Sequence, residues 1–152
     1  MERVKEVIDQ GPYTAKKALA LGLVDALRSE CTLFQEREGI EVRYRADGIP
    51  ADLHRDVCLG LYRIAQEGLR NVVRHSGAKR AEVSLLGRGP DVLLTVSDAG
   101  KGFERNGRGG PGIGLAGMEE RARLIGAELT IESAPGKGTT ITALVPRSEG
   151  RS

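Results

Sequence analysis

Apolar residues recur along this chain at two alternating periods, and the switches between them divide it into elements. From Glu2 to Leu27 the spacing predicts two short helices, the first broken by Gly11-Pro12. Thr14 can cap the second and Gly22 can end it. A third helix is predicted over about Arg28 to Arg37, stopping near Gly39. Ile40 to Arg45 alternates through Ile40, Val42 and Tyr44 and predicts a strand, followed by a turn over Asp47 to Pro50. The longest helical pattern runs from about Leu53 to His75. Ala81 to Leu86 and Val92 to Ser97 predict a hairpin joined around Gly87, Gly89 and Pro90. A glycine-rich segment leads into a helix over about Leu115 to Ile125, closed by Gly126. Two more strands, Glu128 to Ser133 and Thr139 to Val145, flank the turn Ala134-Pro135-Gly136-Lys137-Gly138. Hairpin-linked strands with interspersed helices predict an α+β sandwich, with helices on one face of a mixed sheet.

In the long helix, a rotation of about 100° per residue gathers Val57, Cys58, Leu61, Tyr62, Ala65, Leu69, Val72 and Val73 into one arc able to bury against a sheet. Gly60, Arg63, Glu67, Asn71 and Arg74 fall on the opposite side. Glu67 and Asn71, four residues apart, put a carboxylate and a carboxamide next to one another. Most such pairs are a solvated helix face. The chemical reading is that Asn71 offers a neutral oxygen to Mg²⁺, whose remaining ligands come from phosphates and water. Glu67, one turn earlier, can then polarise an attacking group. Arg74 and His75 can meet phosphate, or can favour the C-terminal end of the helix dipole.

Two loops follow this helix. Asp98-Ala99-Gly100-Lys101-Gly102-Phe103 begins at a strand end, where a carboxylate can accept from an exocyclic amine such as that of adenine. Gly100 and Gly102 let a flat base approach the backbone, although an Asp-Gly turn is also common for its own sake. The second loop holds Gly112-Ile113-Gly114-Leu115-Ala116-Gly117, a literal G-x-G-x-x-G with Glu132 about twenty residues on. A dinucleotide fingerprint needs a strand directly before its first glycine, and residues 105–111 are polar and glycine-rich instead. The context favours a lid ending at a helix N-terminus, whose N–H groups near Gly114 to Ala116 face phosphate and to which Arg105 and Arg108 add charge. No Walker A pattern occurs.

Composition narrows the classes. At 152 residues, 23 basic and 21 acidic side chains leave a net charge of +2, which makes no case for nucleic-acid or membrane binding. Aromatics are only 3% and Trp is absent, which argues against base-stacking platforms. No apolar run is long enough for a membrane span and no secretory signal is evident, so a cytoplasmic setting is expected. Cys31 and Cys58 match no metal-ligand spacing and read as reduced, packed thiols.

The order of these pieces carries a resemblance. Gln66-Glu67-x-Leu69-x-Asn71-x-x-Arg74-His75, Asp98-x-Gly100-x-Gly102-Phe103, Gly112-x-Gly114-Leu115-x-Gly117-Met118-x-Glu120-Arg121 and Pro135-Gly136-x-Gly138-Thr139 match the N, G1, G2 and last boxes of a known family. The stretch from about Leu27 to Pro146 resembles the ATP-binding catalytic domain of bacterial two-component sensor histidine kinases. More narrowly, it resembles the subfamily paired with helix-turn-helix response regulators. The resemblance implies the Bergerat fold of gyrase, chaperone and mismatch-repair ATPases, a two-layer sandwich with a mostly antiparallel sheet. It implies ATP and Mg²⁺ as ligands, Asn71 toward the metal, Glu67 in catalysis and Asp98 at adenine. It implies Gly112, Gly114 and Leu115 at lid and phosphates, and Thr139 supporting the adenine pocket.

Such kinases phosphorylate a histidine on a dimerisation helix, and none is recognisable here; neither His54 nor His75 fits the acceptor's setting. A monomer is therefore expected, with the acceptor histidine on a separate dimerisation domain and a response regulator beyond it. Val4 to Leu27, through Gly11-Pro12-Tyr13-Thr14 and Gly22-Leu23-Val24-Asp25, resembles a fragment of signal-peptide-peptidase-type serine peptidases, without a nucleophile–base pair. The expected organisation is a helical segment of separate origin over residues 1–27, the ATP-binding domain over 28–146 and a polar tail over 147–152. Two further readings stand beside the kinase one. One is a nucleotide-binding module without phosphotransfer. The other is a relative of the same fold that phosphorylates serine on an anti-sigma antagonist.

Overall fold

The computed structural model describes residues 15–102 and 115–146. Helix α1 (Ala15–Glu38) leads to strand β1 (Glu41–Asp47) and helix α2 (Arg55–Asn71), which runs into a π-helical turn (Val72–Ser76). Strands β2 (Arg80–Arg88) and β3 (Asp91–Asp98), helix α3 (Leu115–Leu124) and strands β4 (Glu128–Ser133) and β5 (Thr139–Val145) complete the described elements. The strands form one sheet in the order β1-β2-β3-β5-β4, with β1 and β2 parallel and every other pair antiparallel. This is the expected α+β sandwich.

The strands bury alternate residues because helices cover only one face. Val83, Leu85, Val92, Leu94, Val96, Ile141 and Ala143 point into the helix layer, where they meet Leu27, Leu61, Ile64, Leu69 and Met118. The chain turns where glycine permits it. Gly39 closes α1 in the left-handed conformation at φ +71°, and Gly77 does the same after the π-helical turn at φ +70°. Gly68 brings α2 close to the sheet, because a Cβ there would lie 3.1 Å from a Val96 methyl.

Two expectations are corrected. Gly22 does not end a helix, since α1 continues unbroken from Ala15 to Glu38 across the boundary expected near Leu27. Gly22, Leu23, Ala26 and Leu27 are all buried, and that packing outweighs the roughly 1 kcal/mol helix cost of a glycine. The second correction is at Val73, expected on the buried arc but 40% exposed. The π-helical turn takes more residues per turn than an α-helix, so the 100° phase fails past Asn71.

Candidate functional site

Asp98 is the last residue of β3 and continues the inward row of Val92, Leu94 and Val96. It stands opposite Ala81 on one side and Thr139 on the other, and Thr139 in turn stands opposite Ser133. The helix-facing side of the sheet thus ends in a polar step of Asp98, Thr139 and Ser133. The Ser133 Oγ donates to the Gly138 carbonyl at 3.1 Å and lies 2.9 Å from the Thr139 Oγ1. The Asp98 Oδ1 accepts the Gly100 N–H at 2.7 Å, which sets the carboxylate and turns the chain at once.

The loop after Asp98 is fastened on both sides. Lys101 donates its N–H to the Ser76 carbonyl at 2.9 Å, and its own carbonyl accepts from Gly136 at 2.7 Å. A Cβ at Gly100 would run into Ser76, and one at Gly102 into the Ala134 carbonyl. A Cβ at Gly138 would run into the Asp98 carbonyl. Gly102 and Gly138 also hold φ of +66° and +77°. These glycines are required by close approach of backbones as much as by turning.

The same contacts bring the long helix to this corner. Gly68 rests on Val96 and Ser76 on Gly100, so α2 and β3 run in the same sense. Asn71, between those contacts, lies toward the Asp98 end of the sheet. Its Oδ1 is shut off from solvent without a hydrogen-bond partner among the described residues. A buried carbonyl oxygen without a donor is costly, and its chemistry suits a cation. The metal reading of Asn71 therefore fits the site, whereas a fully solvated helix face does not. Glu67 is also withdrawn, with 22% of its side chain exposed, and its Oε1 accepts from Arg70 Nη1 at 2.8 Å.

Asp98, Gly100, Gly102 and Thr139 are thus gathered at one end of the sheet, with Asn71 and Glu67 on the adjoining helix. Leu115 opens α3, partly buried. Arg74 lines a groove between α1 and α2. The backbone of His75 belongs to the π-helical turn. Gly112, Gly114, Arg105 and Arg108 lie outside the described residues. Sequence reasoning missed Ser76 and Ser133, which hold the corner together. The Ser76-Gly77 pair after a long helix was the available signal for the first, because its Oγ accepts the Ala78 N–H at 2.9 Å as a turn-former. Among the described residues no group of His, Cys, Asp and Glu gathers as a metal cluster, and no helix is long and apolar enough to cross a membrane.

Residues 56–149 match the family described as histidine kinase-, DNA gyrase B-, and HSP90-like ATPases. The chain is 41% identical over 134 residues to the sensor histidine kinase MctS of Rhizobium johnstonii, covering 86% of this chain and 29% of that protein. It is 35% identical over 127 residues to the oxygen sensor histidine kinase NreB of Staphylococcus carnosus, covering 83% and 37%. The chain spans about a third of the length of these curated relatives. Its fold resembles the histidine kinase domain of the Erythrobacter litoralis blue-light activated histidine kinase, with TM-score 0.65 and 20% identity over 95% of this chain and 79% of that one. It also resembles full-length ShkA, solved in complex with AMPPNP, with TM-score 0.64 and 18% identity over 91% and 31% of the two chains.

Proposed function

The chain belongs to the histidine kinase-, DNA gyrase B-, and HSP90-like ATPase family as an ATP-binding catalytic domain of the histidine kinase kind, and from that premise we propose how its own residues work. Asp98 accepts a hydrogen bond from the exocyclic amine of adenine, and the bare backbones of Gly100 and Gly102 let the base lie flat against them. Thr139, one strand over, completes that polar step. Asn71 turns its amide oxygen to Mg²⁺. When bound, the ion neutralises phosphate charge and so lowers the cost of moving the γ-phosphoryl.

The remaining assignments follow the nucleotide away from its base. The backbone N–H groups of Gly112, Gly114 and Leu115, together with His75, receive the phosphates. Glu67 orients and polarises the accepting group, a histidine on a separate dimerisation domain, from which a response regulator takes the phosphoryl. The protein's contribution is positioning and electrostatics, as expected for phosphoryl transfer. The orphaned Asn71 oxygen carries this reading, because it is the feature a merely structural helix would have least reason to keep.

Calorimetric titration of ATP, with and without Mg²⁺, into wild type and Asp98→Asn tests it. Magnesium-dependent binding that is lost in the variant is the expected result. A folded wild type that binds no ATP would overturn the assignment. Tight binding without phosphotransfer to a supplied dimerisation domain would leave a nucleotide-binding module instead.

A further inference from the structure

A groove of about 230 Å³ opens between α1 and α2, on the helix face adjoining Glu67 and Asn71. Phe34 and Val73 form its small apolar part, and three arginines line it, Arg37 on α1 and Arg70 and Arg74 on α2 and its π-helical turn. Two carboxylates also line it. Glu30 accepts from the Tyr62 hydroxyl at 3.0 Å, and Glu38 lies 3.1 Å from Arg37 in an exposed pair of adjacent residues. Arg74 makes no ion pair with any described residue. Arg70 faces two ways, since it lines the groove while its Nη1 holds Glu67 at 2.8 Å. Arginines collect at helix C-termini to offset the dipole. That accounts for their position, but not for three of them around one groove with one tied to Glu67.

We propose that this groove binds a compact organic anion, whose oxygens meet Arg37, Arg70 and Arg74 and whose carbon skeleton lies on Phe34 and Val73, and that its binding releases Glu67 from Arg70. Guanidinium forks match carboxylate and phosphate oxygens in pairs, so an incoming anion competes directly for the bond that Glu67 now accepts. The binding step stands independently of the catalytic assignment. The consequence for catalysis rests on the role proposed above for Glu67.

Calorimetry with citrate and with phenyl phosphate, each titrated into wild type and Arg37→Ala, with and without saturating ATP and Mg²⁺, tests the site and distinguishes a carboxylate from a phosphate ligand. We expect one-to-one binding of at least one probe, weakened roughly 10- to 100-fold by Arg37→Ala, as follows from losing a charge-assisted hydrogen bond, and retained with ATP and Mg²⁺ present. The carboxyl carbon resonance of Glu67 shifts on saturation in wild type. In Arg70→Ala it already sits at the shifted position without ligand. No binding of either probe to folded wild type overturns the site, as does binding insensitive to Arg37→Ala. Binding competed away by ATP assigns the anion to the nucleotide corner instead. A Glu67 resonance unmoved at saturation overturns the release.

Discussion

Replacing Asn71 by leucine separates what this residue does for the fold from what it does for a ligand. The two side chains branch alike, so the change removes the polar atoms without opening a cavity. In wild type the Oδ1 is buried with no hydrogen-bond partner among the described residues. An unsatisfied buried acceptor costs about 1–3 kcal/mol, and leucine adds a few tenths of a kcal/mol in helix propensity. The ligand-free variant is therefore expected to be more stable than wild type by about 1–3 kcal/mol. At an unfolding entropy of about 2.1 cal/mol/K per residue, a 152-residue chain converts each kcal/mol into about 3 °C. The expected rise in Tm is roughly 3–10 °C, read by circular dichroism in chelator-treated buffer, with urea titration as a check on two-state behaviour. Adding ATP and Mg²⁺ should reverse the order. At a thousandfold excess over Kd, binding stabilises wild type by about 4.1 kcal/mol, and the variant gains little. A ligand-free variant less stable than wild type would mean that the oxygen is satisfied within the fold and is not held ready for a cation.

Three other outcomes are expected. Leu27→Ala, at a side chain with no exposed surface, should cost about 2–5 kcal/mol in chemical denaturation, and a loss below about 0.5 kcal/mol would show that α1 is not part of the core. Gly138→Ala should lower stability and abolish ATP binding together, because it strains a φ of +77° and drives a methyl into the Asp98 carbonyl; wild-type affinity in calorimetry would refute this. Burial pushes the Cys31 thiol up to about 12, with Glu30 adding to it, and the Cys58 thiol up to about 11. Both should resist iodoacetamide at neutral pH in the folded chain and react in urea. The fold holds these protons while the unfolded chain releases them near 9.0, so stability should decline as pH rises from about 9 toward about 11, and a flat urea midpoint over that window would contradict it.

The strands were legible because period-two alternation is direct evidence of a sheet covered on one face, and β2, β3, β4 and β5 extend the expected spans by two residues or fewer at either end. The site residues were legible as types in order: an acid and an amide one turn apart, then an aspartate before paired glycines. Position was harder. Gly22 reads as a helix end by propensity, but its neighbours Leu23 and Leu27 are core residues, and burial against α2 and β1 is invisible to a local window. Val73 departs from the expected arc because the phase of α2 changes inside the π-helical turn, and no residue type announces that change. Gly100, Gly102 and Gly138 read as turn formers. Their second role, making room for backbone and side chains of elements distant in sequence, lies in tertiary contacts that no local window contains.

That second role bears on how the corner responds to a ligand. Ser76, Lys101 and Gly136 join the end of the long helix, the loop after β3 and the last turn into one braced unit through two short backbone bonds. A hinge between the helix that carries Asn71 and the strand that ends in Asp98 would have to break one of them. The two side chains assigned to opposite ends of the nucleotide therefore keep a set separation before anything binds. Recognition at this corner resembles a gauge of molecular length: a ligand either spans the gap or does not, and little of its binding energy goes into setting the distance between these two side chains.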